Sequence, residues 1–388
     1  MEVDSNYEDE EDGHENGEGE ENGAEAENDD DDDDDDDDED GSADEGDYCS
    51  SSGRESSAPL RRQPLQRSAA AQPQLEVDSN SEVDDCDAWS HSGGSSSLDS
   101  ETTSIGSAAF EYEYENGRRY HGFRAGQYAL PNDEAEQDRL DMMHHIYSLM
   151  LGGKLHLAPL RKPRHILDVG TGTGIWAIDM AELYPEASII GTDLSPIQPG
   201  WVPPNVQFFV DDAESDWTFD GEFDFVHIRG MLGSTEDWPR LIEQVFTALK
   251  PGGYIEIFEC PTFNIASDDD SYHNKTKLWR FYDLANKASK MAGRPLTMAG
   301  DPLEFLTDAG FVDLSDDVVK LPLGTWPVDK KMKELGHWMT LMIQTGFEAY
   351  GLGLLTRFLG MSPADAKQLF QDCENEVKSK SVHGYFDM

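Results

Sequence analysis

From about residue 133 the apolar positions follow two alternating patterns. Leu140, Met143, Tyr147 and Met150 fall at helical spacing, behind a Pro131-Asn132-Asp133-Glu134 start with Asn132 or Asp133 as cap. Gly152-Gly153 ends that segment. Short apolar runs then read as buried strands at 164–169 and Ser188–Asp193. Residues 175–184 read as a helix after the first run. Ser234-Thr235-Glu236-Asp237 reads as a capping box, with Leu241, Val245, Ala248 and Leu249 as the buried stripe of its helix. A strand, a glycine loop and a helix predict the first unit of an open α/β sheet. Segments 260–300 and 333–360 read as helical insertions rich in aromatics and Met, and Ser362-Pro363 opens a last helix with proline at its first position.

The first hundred residues show no such period. They carry 36 acidic and 4 basic residues, and ten consecutive aspartates run from Asp29 to Asp38. Self-repulsion and the scarcity of apolar side chains leave nothing to offset chain entropy, so residues 1–108 are expected to form a disordered acidic, Ser-rich tail. Ser79, Ser81 and Ser100 precede acidic residues and are candidate modification sites, although a solvated spacer explains the composition equally well. The expected domain is 109–388: a helical lid over 109–160, a core over 161–259, and helical insertions with the last strands over 260–388.

The remaining composition narrows the function. No run reaches the ~18–20 apolar residues of a membrane-crossing helix, and no apolar stretch follows a basic patch at the N-terminus. A cytoplasmic and/or nuclear location is expected. Cys49, Cys86, Cys260 and Cys373 lie far apart, which argues against a disulfide framework and a zinc site. The net charge of −51 disfavours general nucleic-acid binding.

The chemistry concentrates in Asp168-Val169-Gly170-Thr171-Gly172-Thr173-Gly174. A glycine loop between a strand and a helix lets the backbone approach a ligand, and the helix N-terminus adds free N–H groups. Asp193 ends the next strand, where a carboxylate accepts from two ribose hydroxyls, and Leu194 follows it. Spacing alone leaves two cofactor classes open, because a dinucleotide pattern also passes from Gly172 through Gly174 to Ala177. Asp168, two residues before the first glycine, suits a cationic amine better than a pyrophosphate.

The whole string resembles motif I of the class I S-adenosylmethionine-dependent methyltransferases. The likeness extends to the Asp212-Ala213 pair after the third strand, to Phe223–Arg229, and to the Lys250-Pro251-Gly252-Gly253 turn into the fifth. Asn116-Gly117-Arg118-Arg119-Tyr120-His121, Leu130-Pro131-Asn132-Asp133-Glu134, His144-His145-Ile146 and Leu321-Pro322-Leu323-Gly324-Thr325-Trp326 resemble more narrowly the fungal LaeA-like methyltransferases. That resemblance implies a Rossmann-like, seven-stranded, mostly parallel sheet and S-adenosyl-L-methionine as cofactor. It implies that Asp168, Gly170, Thr171, Gly172, Gly174, Asp193, Leu194, Asp212 and Ala213 bind the cofactor; Arg229, just past the end of the fourth strand, is read as holding the cofactor carboxylate or an acidic substrate, with a structural ion pair as the alternative. Asp212 would hold the adenine amine and the Ala213 N–H a ring nitrogen. It further implies a link to secondary metabolism and a velvet-type regulatory partner for some members.

On the acceptor side, the Asn/Asp-Pro-Pro motif of amino-methylating nucleic-acid enzymes is absent after the fourth strand, where His227-Ile228-Arg229-Gly230 stands. His144, Arg229 and Glu259 are the catalytic candidates: a histidine on the rim of a buried face, an arginine past a strand end, and a carboxylate bordering the same crevice. The acceptor is a small molecule or a protein side chain. A non-catalytic scaffold of the same fold is the alternative. Gly384-Tyr385-Phe386-Asp387-Met388 leaves little chain for the last strand, so a gap in the sheet is expected there.

Overall fold

A computed structural model describes residues 73–78, 112–123, 128–260 and 265–388. The poly-aspartate run, Ser79, Ser81, Ser100, Cys49 and Cys86 lie outside the described residues. Elements follow in order: β1 (Glu113–Glu115), β2 (Arg118–Tyr120), α1 (Glu134–Met150), β3 (His165–Val169), α2 (Ile175–Leu183), β4 (Ser188–Asp193), β5 (Val206–Val210) and β6 (Phe223–Arg229). Then come α3 (Trp238–Ala248), β7 (Leu249–Phe258), β8 (Ile265–Ser267), α4 (Lys277–Met291), α5 (Pro302–Ala309), β9 (Lys320–Pro322), α6 (Lys330–Leu359), α7 (Pro363–Lys378) and β10 (Gly384–Asp387).

The core is a parallel sheet in the order β5-β4-β3-β6-β7. Alternation sends neighbouring residues to opposite faces. Ile166, Ile189 and Phe225 pack with Trp176 and Met180 of α2 on one face. Leu167, Val169, Val226 and Ile228 pack with Leu241 and Val245 of α3 on the other. The α3 cap is Asp237, which accepts from Arg240 N, so Ser234 does not open the helix as the capping-box pattern predicts. Pro239 in the first turn sets that later start.

A single seven-stranded sheet is not what forms. The β6–β7 ladder ends at the Arg229–Phe258 pair, and the chain next gives Glu259 to a cavity instead of to the sheet. β8, β10 and β9 make a separate antiparallel sheet in that order. The expected gap is not there either. Tyr385 pairs with Ala266 on one side and Pro322 on the other, so β10 is hydrogen-bonded along both edges. Burial of Tyr385 and Phe386 explains why so short a strand holds.

A third core joins α1, α4, α6 and α7 to this small sheet. The 30-residue α6 runs through its middle and is buried on several sides. Its glycines are spacers. A Cβ on Gly336 would strike the carbonyl oxygen of Gly324, and one on Gly351 would strike Phe370 and Phe281. The helix accepts the propensity cost of glycine because neighbouring backbone and rings fill those positions.

Residues 73–78 correct the tail boundary. Val77 bridges Pro327, Asp78 N donates to Trp326 O at 2.7 Å, and Val328 N donates to Glu76 O at 2.8 Å. Asp78 pairs with Lys333. The extended chain satisfies backbone groups exposed just before α6, a long-range pairing that composition cannot reveal.

Candidate functional site

The C-terminal ends of β3, β4 and β6 open into one cavity closed by α1, α4 and α6. With its mouth included it encloses about 1780 Å³.

One end is built by the glycine loop. Gly170, Gly172 and Gly174 all take positive φ. Thr171 N donates to Thr192 O at 2.9 Å, and Gly172 N donates to Asp193 Oδ2 at 2.9 Å. The other Asp193 oxygen takes Ser195 N at 2.9 Å. Burial pushes the Asp193 carboxyl up to about 6, against the pull of these bonds. Asp168 is held on both oxygens, by Thr171 Oγ1 at 2.6 Å and His227 Nδ1 at 2.7 Å. The His227 ring stacks on Trp176 at 3.7 Å. His227 therefore packs and orients Asp168. Asp212 turns back on its own loop, accepting from Glu214 N at 3.0 Å and Ser215 Oγ at 3.3 Å.

Of the ten expected cofactor residues, nine border this cavity: Asp168, Gly170, Thr171, Gly172, Asp193, Leu194, Asp212, Ala213 and Arg229. Gly174 does not. The position of its missing Cβ is filled by the ring of Phe208, which also crowds Gly191. That glycine answers to packing and to its φ of 79°. Gly174→Ala is expected to destabilise the fold by ~2–3 kcal/mol, measured by denaturant unfolding, because the left-handed φ and the displaced ring act together.

At the border between the two ends stands Arg229, half-buried and stacked over Tyr147 at 4.7 Å. Burial depresses its pKa. Its Nη2 donates to His144 Nδ1 at 3.2 Å, so the His144 hydrogen sits on Nε2, which donates to Asp179 Oδ2 at 2.9 Å. Both imidazole nitrogens are thus committed. His144 lies in a small recess behind Arg229 and not on the cavity wall, which removes it as a general base. Sequence reasoning placed it on the right helix face, but could not see Arg229 standing between it and the ligand space.

The far end is mostly apolar, with Met143, Phe281, Ile343 and Phe347 among its walls. Both helical insertions therefore serve as core and as wall. Glu259 borders the cavity here, half-buried. It accepts from Met231 N at 2.7 Å and Leu232 N at 3.3 Å, not from Arg229. Burial raises its carboxyl to about 8, against those two bonds. A carboxyl titrating there exchanges protons near neutrality.

Sequence reasoning missed two groups. Asn132, read as a cap, donates to Ser195 Oγ at 3.2 Å, while Asp133 caps α1. Glu136 and Arg139, three apart in α1, look like an exposed helix pair; instead both are buried at the cavity side. A charged pair on the helix face that also carries Leu140 and Met143 was the available signal.

Residues 142–297 match a family model described as "Methyltransferase domain". "Methyltransferase pytC" of Aspergillus terreus is 42% identical over 292 residues, 74% of this chain and 90% of that protein. "Secondary metabolism regulator LAE1" of Cochliobolus heterostrophus is 39% identical, across 70% of this chain and 91% of that protein. "Protein-methionine methyltransferase laeA" of Emericella nidulans is 36% identical, across 71% and 74%. Identity at that level over most of each relative, joined to the glycine-loop crevice and the parallel sheet, leads to one assignment: the chain belongs to the LaeA-like S-adenosylmethionine-dependent methyltransferases.

Proposed function

We propose that the chain methylates an oxygen of a flat, largely apolar small molecule, binding S-adenosylmethionine at the glycine-loop end of the cavity. One observation carries this reading. The loop, Asp193 and Arg229 share a single cavity with the half-buried carboxyl of Glu259 and an aromatic chamber. The cofactor supplies an electrophilic methyl group. Asp193 accepts from its ribose hydroxyls, and Asp168 faces its amine. Nε and Nη1 of Arg229, left over from the His144 bond, suit its carboxylate. The Ala213 N–H faces the adenine ring. Acceptor and methyl donor are brought together by the walls, which is most of what the displacement needs. With the cofactor bound, the sulfonium–methyl bond would break as the oxygen–methyl bond forms, S-adenosylhomocysteine would leave as a neutral thioether, and the ionised Glu259 would take the hydroxyl proton. Regions 109–160, 161–259 and 260–388 act on this reading as lid, cofactor core and acceptor wall.

Two relatives are named as a secondary metabolism regulator and a protein-methionine methyltransferase, and a role in secondary metabolism belongs to the same proposal; a velvet-type partner and a nuclear or cytosolic site are added to it from the LaeA-like resemblance alone. Among the described residues no helix is long and apolar enough to cross a membrane. The test is release of S-adenosylhomocysteine from S-adenosylmethionine with naphthols beside a methionine-bearing peptide. Turnover on naphthols is expected. Turnover on the peptide alone would move the acceptor to protein. Cofactor binding with no turnover on either would favour the scaffold.

A further inference from the structure

Within the acceptor chamber just proposed, on which this inference rests, we infer that Arg139 is a specificity-determining anchor. It takes a second oxygen of the acceptor, a carbonyl or carboxylate remote from the hydroxyl that is methylated.

Arg139 borders the cavity and is 2% exposed, and its partner Glu136 is 1% exposed. Nε donates to Glu136 Oε2 at 2.8 Å and Nη2 to Oε1 at 2.7 Å. This two-pronged bond fixes the plane of the guanidinium, and the Tyr350 ring 5.0 Å from its carbon packs against it. Nη1 is left over. The contact found for it among the described residues is the thioether of Met342 at 3.8 Å, a weak acceptor. Met342 and Tyr350 border the same cavity.

A buried ion pair is seldom the most stable way to fill a helix interface, since apolar side chains of similar volume do as well. Buried N–H groups are also rarely left without an oxygen. Here the pair lies in a chamber whose other walls include Met143, Phe281, Ile343 and Phe347. Glu136 neutralises the charge, so what Arg139 offers the cavity is a rigid pair of N–H donors. That fits an oxygen acceptor on an otherwise apolar ring system.

The experiment uses the full chain saturated with S-adenosylhomocysteine. 2-Naphthol is titrated beside the 3- and 6-acetyl-2-naphthols and the corresponding hydroxynaphthoates, by calorimetry. At least one acetyl or carboxylate probe should bind tenfold or more tightly than 2-naphthol. The acetyl and carboxylate arms separate a carbonyl from a carboxylate ligand. Arg139→Gln should remove the preference and leave S-adenosylhomocysteine affinity within twofold. Because that change strands Glu136, Glu136→Leu/Arg139→Met is made alongside; it keeps volume and leaves no lone charge. Preference retained in either folded variant, or no preference in the wild type, overturns the inference while the cofactor reading stands. Loss of S-adenosylhomocysteine binding by the wild type would instead overturn the cofactor reading.

Discussion

Asp193→Ala should weaken S-adenosylhomocysteine binding at least a hundredfold, equivalent to about 2.7 kcal/mol. The carboxylate does two things at once. It takes Gly172 N and Ser195 N, each at 2.9 Å, which holds the glycine loop against the β4–β5 connection. On the proposed reading it also offers its remaining lone pairs to the ribose. Truncation leaves two buried N–H groups unpaired, at ~1–3 kcal/mol each, and removes two charge-assisted bonds to the ligand. The loss is read by calorimetry, with circular dichroism to confirm the fold. Asp193 also sets a pH dependence. Its carboxyl titrates at about 6, and hydroxyl donors bind the ionised form. Binding therefore expels a proton at low pH, and affinity should fall about tenfold per unit below pH 6. Asp193→Asn should show weak binding that no longer varies through that window.

Glu259→Gln should change stability in the opposite pH direction from most carboxylate substitutions. The folded-state value is about 8, against an ordinary 4.5. Between those values the folded chain holds a proton that the unfolded chain has released. Stability therefore falls as pH rises through 4.5 to 8, by about 1.4 kcal/mol per unit and about 4–5 kcal/mol in all. The amide is never ionised, and its oxygen can still accept from Met231 N. Glu259→Gln should consequently lie within ~1–2 kcal/mol of the wild type near pH 5 and exceed it by several kcal/mol near pH 8.5. Denaturant unfolding at both pH values reads the difference. On naphthol acceptors the same variant should lose turnover, because the proton of the hydroxyl has no carboxylate to go to.

What the sequence revealed was local. The first βαβ unit is legible because Ile166–Val169, the three glycines and Asp193 fall within one short stretch whose periods and turn residues agree. The cofactor-facing carboxylates follow from their places at strand ends. What it hid is long-range. His227 holds Asp168 from another strand, and the β10 pairing joins Tyr385 to Ala266 and Pro322. Residues 73–78 pair with a loop hundreds of positions away. Phe208 fills the space beside Gly174, so a glycine that reads as a ligand contact is a packing requirement. Glu136 and Arg139 carry the spacing of a solvated helix pair, and only the arrival of α6 buries them. Candidate bases suffered the same way: His144 and Glu259 both border apolar surface in the sequence, but Arg229 separates one of them from the cavity.

The most direct test of the cofactor site is one titration of the full wild-type chain with S-adenosylhomocysteine, S-adenosylmethionine and NADH at pH 7.5. Micromolar binding of the first two and none of NADH is the predicted result. NADH binding, or a folded protein that binds none of the three, would contradict it.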